Sequence, residues 1–517
     1  MIHLLDPREA NRLVLGEGEI AFLDLREAGP FSEGHPLFAV PAPYSTLEAR
    51  VGQLVPRVDV PVVLVDGGDG IAEAGAEALA AMGYSDVAIV EGGAPGWEAA
   101  DLTLFKGVNV PSKALGELAE ALWHPKTIDA RTLSAWQRDG RSFSLFDCRP
   151  PGEFEKMTVP GAACLPNGEI AHRLPALDAE KPIVVTCAGR TRGIIGSLGL
   201  ARVIPAREIY ALENGTQGWA LAGFELSRGN EPGALPDLTP EQAAETRARA
   251  DAFLAAENIP LITSSDVAAF LDNKTRTTFV FDVRSADEAK ADPLPAFTHA
   301  WSGQIVQATD RWVGVRRARL VLADDLGLRA GLAAFWLRAL GFDVHVVRID
   351  DVLRAMPAPK HSEAPAIDIP EITAEEALAD VRKNRAGLLD LRPSGRYAAG
   401  HVEDSTWSIR PHLREVAGKG RWLLIGDDGP EVRLGARELL CLGHTDLALI
   451  QGGIDAMRRA GAGFRQVRPL PPAAAADITS FAHGRHDGDL AASREYLAWE
   501  QGLVATLSAD ERAAFRL

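Results

Sequence analysis

Ile183-Val184-Val185-Thr186-Cys187-Ala188-Gly189-Arg190-Thr191-Arg192-Gly193 passes from an apolar run into a cysteine, a glycine and two arginines within eleven residues. The run from Pro182 to Val185 predicts a strand buried on both faces of a parallel sheet. Downstream, Ile194-Ile195-Gly196-Ser197-Leu198 reads as the start of a helix. A turn joining a strand to a helix N-terminus gathers backbone N–H groups at one point, and the helix dipole favours negative charge there. A cysteine opening such a turn, flanked by Arg190 and Arg192, is expected to be a thiolate near neutral pH. A free cysteine is by default a small buried hydrophobe. The two arginines and the turn glycine instead make Cys187 a nucleophile with an anion cradle around it.

The same grammar occurs four times. An apolar strand ending in Asp-x-Arg appears as Phe22-Leu23-Asp24-Leu25-Arg26, Leu145-Phe146-Asp147-Cys148-Arg149, Phe279-Val280-Phe281-Asp282-Val283-Arg284 and Leu388-Leu389-Asp390-Leu391-Arg392. The spacing of the aspartates is that of domains rather than of a solenoid. Each copy continues into a second apolar strand and a polar turn, then a helix rich in Ala, Leu and Gly. Two copies close on matching turns, Glu91-Gly92-Gly93-Ala94-Pro95-Gly96-Trp97 and Glu213-Asn214-Gly215-Thr216-Gln217-Gly218-Trp219, and the fourth on a weaker one, Gln451-Gly452-Gly453-Ile454. Strands alternating with helical patterns predict an α/β fold of parallel sheets covered by helices on both faces. Ligands in such sheets bind at the carboxyl ends of strands, where the Cys187 turn falls.

Cys187-Ala188-Gly189-Arg190-Thr191-Arg192 resembles the six-residue active-site loop of the rhodanese sulfurtransferases, closed by an arginine at its sixth position. The repeat grammar resembles rhodanese domains too, including Gly34-His35 and Gly400-His401; the copy holding Cys187 departs from that element with Met157-Thr158. The resemblance implies four tandem rhodanese-like domains, at 1–112, 123–230, 259–357 and 368–468. A helical linker at 231–258 and a C-terminal helical tail at 469–517 complete the chain. The tail opens with Pro471-Pro472-Ala473 and carries Phe481, Tyr496, Leu497, Trp499 and Leu503, so it is expected to dock on a domain or on a partner subunit; a homodimer is left open.

The resemblance also implies a reaction: double displacement through a Cys187 persulfide, with thiosulfate as donor and cyanide, a small thiol or a protein cysteine as acceptor. Backbone N–H groups from Ala188 to Gly193, including Gly189 and Thr191, would stabilise the persulfide, and Arg190 and Arg192 would hold the donor's oxygens. Arg192 could instead point inward and brace the loop. Asp147 and Arg149 would support the loop from below, although their plainest reading is an ion pair shared by all four copies. Mercaptopyruvate as donor, a sulfur-relay or redox-sensing module fed by a partner's persulfide, and a pure interaction protein are the alternatives. A cysteine phosphatase or arsenate reductase is disfavoured, because such loops place five residues between Cys and Arg where four stand here.

Only one of the four turns has a thiol. Asp66-Gly67-Gly68-Asp69-Gly70-Ile71 and Asp324-Asp325-Leu326-Gly327-Leu328-Arg329 begin with aspartate, and Gly426-Asp427-Asp428-Gly429-Pro430 has neither thiol nor arginine. These three copies read as scaffolds or docking surfaces, with cation binding by their aspartates as the minor alternative. Cys148 and Cys164 read first as buried structural cysteines, and either could be a resolving thiol.

Composition bounds the rest. A chain of 517 residues predicts several domains. The formal charge of -17 argues against nucleic acid or an anionic membrane as partner. Four cysteines without CxxC or Cys/His spacing give no disulfide framework and no zinc site, so neither metal nor cofactor is expected. The N-terminal residues lack the order of a signal peptide, and no apolar run reaches membrane length, which points to the cytoplasm.

Overall fold

Four parallel sheets form from the four copies, and in each the strand that precedes the polar turn lies centrally. In the copy holding Cys187 the strand order is Thr127–Ile128, Ile209–Leu212, Ile183–Thr186, Ser144–Asp147 and Ala163–Cys164. The third copy runs Leu261–Ile262, Asp343–Arg348, Arg319–Asp324, Thr278–Asp282 and Thr298–His299, and the fourth Glu371–Ile372, Leu447–Ile450, Arg421–Ile425, Ala386–Asp390 and Thr406–Trp407. In the first copy His3–Leu5, Val87–Val90, Val62–Val65, Ile20–Asp24 and Val40–Pro41 follow the same order. The central strands Val62–Val65 and Ile183–Thr186 are buried along their whole length because helices cover both faces, as their unbroken apolar runs require.

This computed structural model describes residues 3–177, 180–416, 420–427, 429–470 and 475–517. Met1 and Ile2, Asp428 of the fourth turn, and Pro471-Pro472-Ala473 at the head of the tail lie outside the described residues. Among the described residues no helix is long and apolar enough to cross a membrane.

One register recurs. The aspartate of each Asp-x-Arg pairs with the last residue before the turn: Asp24 with Val65, Asp147 with Thr186, Asp282 with Ala323, Asp390 with Ile425. Each aspartate is clasped by its own arginine. Arg149 Nε and Nη2 donate to Asp147 at 2.9 and 2.7 Å, and Arg26, Arg284 and Arg392 do the same in their copies. The same guanidinium donates to a carbonyl eight residues beyond the aspartate's partner arginine: Gly34, Met157, Asp292 and Gly400. The motif is a buried brace for the chain after the strand, which is why all four copies keep it whether or not they carry a thiol.

The glycine-rich closing turns have an equally direct cause. Gly215 has φ +51°, and a Cβ there would lie 2.2 Å from the Cys187 carbonyl oxygen. Gly93 stands in the same relation to Asp66 and Gly453 to Gly426. A side chain at these points would push the loop away from the sheet.

The chain divides into two compact units. One comprises 1–14, 20–108 and 361–481, the first and fourth sheets; the other comprises 15–19, 109–360 and 482–517, the second and third sheets with the end of the tail. Within the first unit, Arg410 donates to both carboxylate oxygens of Glu48 and to Glu438, which also accepts from Tyr44. Within the second, Arg329 is 0% exposed and donates to Asp324, Asp325, Glu169 and Glu288. The linker helix Pro240–Ala256 starts at a capping box made by Thr239 and Gln242. The tail forms helices Leu490–Thr506 and Ala509–Ala513, docked through Tyr496, Leu497 and Leu503.

Candidate active site around Cys187

Cys187 stands one residue past the central strand of its sheet and is 2% exposed. The following helix starts at Thr191, earlier than the apolar pattern at Ile194 indicates, so the last three loop residues already form its first turn. First-turn N–H groups have no intrahelical acceptor. One of them, on Gly193, hydrogen-bonds the Cys187 sulfur, which also stands 3.8 Å from the Arg190 carbonyl oxygen. The loop is pinned from the other side, where Thr216 N–H donates to the Cys187 carbonyl at 2.8 Å and Gln217 N–H to the Ala188 carbonyl at 3.1 Å.

The Cys148 and Cys187 side chains hydrogen-bond each other. That bond from Cys148 holds the Cys187 thiol below the usual cysteine range, against the burial that would raise it. The Arg192 guanidinium and the Gly193 N–H act in the same direction, and Glu500 opposes them. Burial, together with the charge on Cys187, pushes Cys148 well above the ordinary value. The two shifts run in opposite directions, so Cys148 holds its proton more tightly than Cys187 does. Cys164 has no such role: burial pushes it to about 12, and its sulfur faces the Arg149 carbonyl. Cys441 is exposed in the other unit.

Both loop arginines already have carboxylate partners. Arg192 makes a forked pair with Glu153 at 2.6 and 2.8 Å. Arg190 makes another with Glu117 at 2.7 and 3.0 Å and also reaches Glu120; both glutamates lie on the helix Val110–Trp123. The sequence offers both guanidinium groups to an anion, with Arg192 alternatively turned inward as a brace, and the fold pairs the two with three glutamates. Asp147 and Arg149 lie beneath the loop, paired with each other as in every copy.

The tail supplies residues that no local pattern connects with Cys187. Thr191 Oγ1 donates to Glu500 Oε1 at 2.6 Å, and Glu500 is 1% exposed. Tyr496, Leu497 and Glu500 all lie within van der Waals reach of Gly189, and a Cβ there would stand 3.2 to 3.7 Å from them. Lys113 places its ammonium 5.4 Å from the Tyr496 ring centroid and 5.2 Å from that of Trp499. Burial lowers its pKa to about 8. His486 is lowered to about 4 by burial and by Arg485. The only signal for these contacts in the sequence is the apolar content of the tail.

A family model for the rhodanese-like domain matches residues 6–100 and 117–222. A crystal structure described as a thiosulfate sulfurtransferase from Pseudomonas aeruginosa superposes with a TM-score of 0.92 and 32% identity, covering 100% of each chain. The uncharacterized protein YibN of Escherichia coli is 33% identical over 100 residues, 19% of this chain and 69% of that protein. The chain belongs to the rhodanese family. An HTH-type transcriptional regulator of Mycobacterium tuberculosis is 29% identical over 111 residues, 22% of this chain, and this rhodanese-family chain spans only 49% of that regulator's length.

The thiol-free loops of this family member show what their aspartates do. Asp66 accepts from the N–H groups of Gly68 and Ala72 at 2.8 and 3.0 Å. Asp324 accepts from those of Gly327 and Arg329 at 3.1 and 3.0 Å. In both copies a built-in carboxylate fills the N–H cradle that serves the sulfur in the Cys187 copy. His172, Asp324 and Asp325 bring ligand-type atoms within 4.8 Å of one another. Arg329 already supplies positive charge to both aspartates, so the cluster is balanced from within.

Proposed function

We propose that the chain is a sulfurtransferase in which Cys187 takes sulfane sulfur from thiosulfate as a persulfide and hands it to cyanide or a thiol. The Cys187 thiolate attacks the outer sulfur of thiosulfate, the S–S bond breaks, and sulfite departs with the bonding pair. The persulfide's terminal sulfur is held by the N–H groups of the loop 188–193, and an acceptor then attacks that sulfur and restores the thiolate. The observation that carries this reading is the Cys187 sulfur at a helix N-terminus, accepting from Gly193 N–H and from the Cys148 thiol, in a loop whose three counterparts have no thiol. The full-length likeness to a protein described as a thiosulfate sulfurtransferase supports thiosulfate as donor. In this reading Asp147 and Arg149 hold the frame and touch no substrate.

The pairing of Arg190 and Arg192 with glutamates favours a second donor. Thiosulfate must compete with Glu117, Glu120 and Glu153 for those guanidinium groups. A small-molecule or protein persulfide, whose sulfane sulfur arrives without a sulfonate, has no such competition. A tetrahedral oxyanion such as a phosphate ester is served worst by a loop with four residues between Cys187 and Arg192.

Thiocyanate formation from thiosulfate and cyanide, compared with sulfur transfer from glutathione persulfide, ranks the two donors. The same preparations are tested for aryl phosphate hydrolysis. Activity with a sulfane donor that is lost in Cys187→Ser bears out the proposal. Phosphate hydrolysis without sulfur transfer would reassign the enzyme.

A further inference from the structure

The register that repeats in all four copies sets one residue beside each loop-opening position: the middle residue of Asp-x-Arg. That residue is Leu25, Val283 and Leu391 in the three copies whose turn has no thiol, each buried and apolar. In the remaining copy it is Cys148, next to Cys187. The placement follows from the sheet, because Asp147 pairs with Thr186 and Cys148 N–H donates to the Thr186 carbonyl at 2.9 Å. Residues at matching positions of neighbouring parallel strands lie roughly 4.8 Å apart with side chains on the same face. A disulfide spans Cα separations of about 4.4–6.8 Å. The two thiols already touch through a hydrogen bond.

We propose that Cys148 is a resolving thiol that discharges the Cys187 persulfide as hydrosulfide, giving the protein a sulfide-releasing activity alongside sulfur transfer. This rests on the persulfide reading above. Cys148 hydrogen-bonds Cys187 Sγ, the atom that would be the inner sulfur of the persulfide. In the step, the Cys148 sulfur bonds to Cys187 Sγ while the Sγ–sulfane bond breaks. The Cys148 proton passes to the departing sulfur, which leaves as HS⁻. The sulfane sulfur is reduced by two electrons, and the two cysteines are oxidised to a disulfide. A dithiol reductant then returns both thiols and closes the cycle. The loop N–H groups that hold the terminal sulfur also stabilise it as it leaves.

The test uses the full chain, reduced and freed of reductant, treated with excess thiosulfate without acceptor and then desalted. The parent is expected to release one equivalent of sulfide and to become lighter by two hydrogens, with Cys148 and Cys187 joined in one peptide pair. Cys148→Ser, which keeps a hydrogen-bond donor beside the Cys187 sulfur, is expected to gain the mass of one sulfur on Cys187 and to release at least tenfold less sulfide. A parent that keeps the added sulfur with no disulfide would overturn the inference and leave the proposed function standing. If neither the parent nor Cys148→Ser acquires sulfur or a disulfide from thiosulfate or, in a parallel sample, from glutathione persulfide, the persulfide reading fails and this inference with it.

Discussion

Thr191 Oγ1 donates to Glu500 Oε1 at 2.6 Å, tying the first helical residue of the Cys187 loop to a helix more than three hundred residues downstream. The other oxygen of Glu500 has no hydrogen-bond partner among the described residues and adjoins Gly189. A buried carboxylate there opposes thiolate formation at Cys187 and repels an anionic donor.

Glu500→Gln keeps an acceptor for Thr191 and removes the charge. The pH at which Cys187 is half-alkylated by iodoacetamide is expected to fall, and KM for thiosulfate to fall about threefold to tenfold, roughly 1 kcal/mol. No movement in either quantity would remove Glu500 from the site's electrostatics.

Glu117 gives a pH signature. Burial raises its pKa to about 7 even though Arg190 pairs with it. Its folded value lies above the ordinary carboxylate value, so its stabilising contribution is complete at acid pH and is lost as pH rises through about 7. Protonation on the way down also leaves Arg190 less neutralised. KM for thiosulfate is expected to fall from pH 8 to pH 6 in the parent and to be flatter in Glu117→Gln. The melting temperature of that variant is expected to lose the decline that Glu117 adds between pH 5 and 8.

The closing turn makes a paired prediction. Gly215→Ala forces a side chain against the Cys187 carbonyl at positive φ, and Gly93→Ala does the same against Asp66. The left-handed backbone alone costs each about 1–2 kcal/mol. Thermal melts are expected to show destabilisation in both, whereas sulfur transfer per folded molecule drops at least tenfold only in Gly215→Ala. Equal activity in the two variants would mean that the turn does not position the thiol.

Arg329 serves four carboxylates from a fully buried position. Arg329→Met leaves Asp324 and Asp325 without their guanidinium partner, while Arg173 still holds Glu169 and Glu288, and the loss is about 3–5 kcal/mol. Denaturant unfolding followed by tryptophan fluorescence is expected to show a lower midpoint. Cys187 alkylation of the folded fraction is expected to keep its pH dependence, since Arg329 does not contact the loop that holds the thiol.

Much of the site was legible before any fold was known. Asp24, Asp147, Asp282 and Asp390 mark four equivalent strands, and comparing the four turns isolates Cys187 by inspection. Arg190 and Arg192 were legible as charges but not as paired charges. Glu117 lies 73 residues from Arg190 and Glu153 39 from Arg192, and no local period connects them. The helix start at Thr191 was hidden because its first turn is polar, so apolar spacing begins only at Ile194.

The sequence by itself determined four strand–turn–helix copies, the buried parallel strands and the single thiol-bearing loop. These follow from short-range patterns: apolar runs, turn glycines and a brace between residues two apart. Only the tertiary structure decided that Cys148 touches Cys187, that glutamates hold both loop arginines and that the tail helix covers Gly189. It also decided that the first sheet shares a unit with the fourth. Those facts depend on which distant charges and apolar faces are buried together, a property of packing that no stretch of chain carries alone.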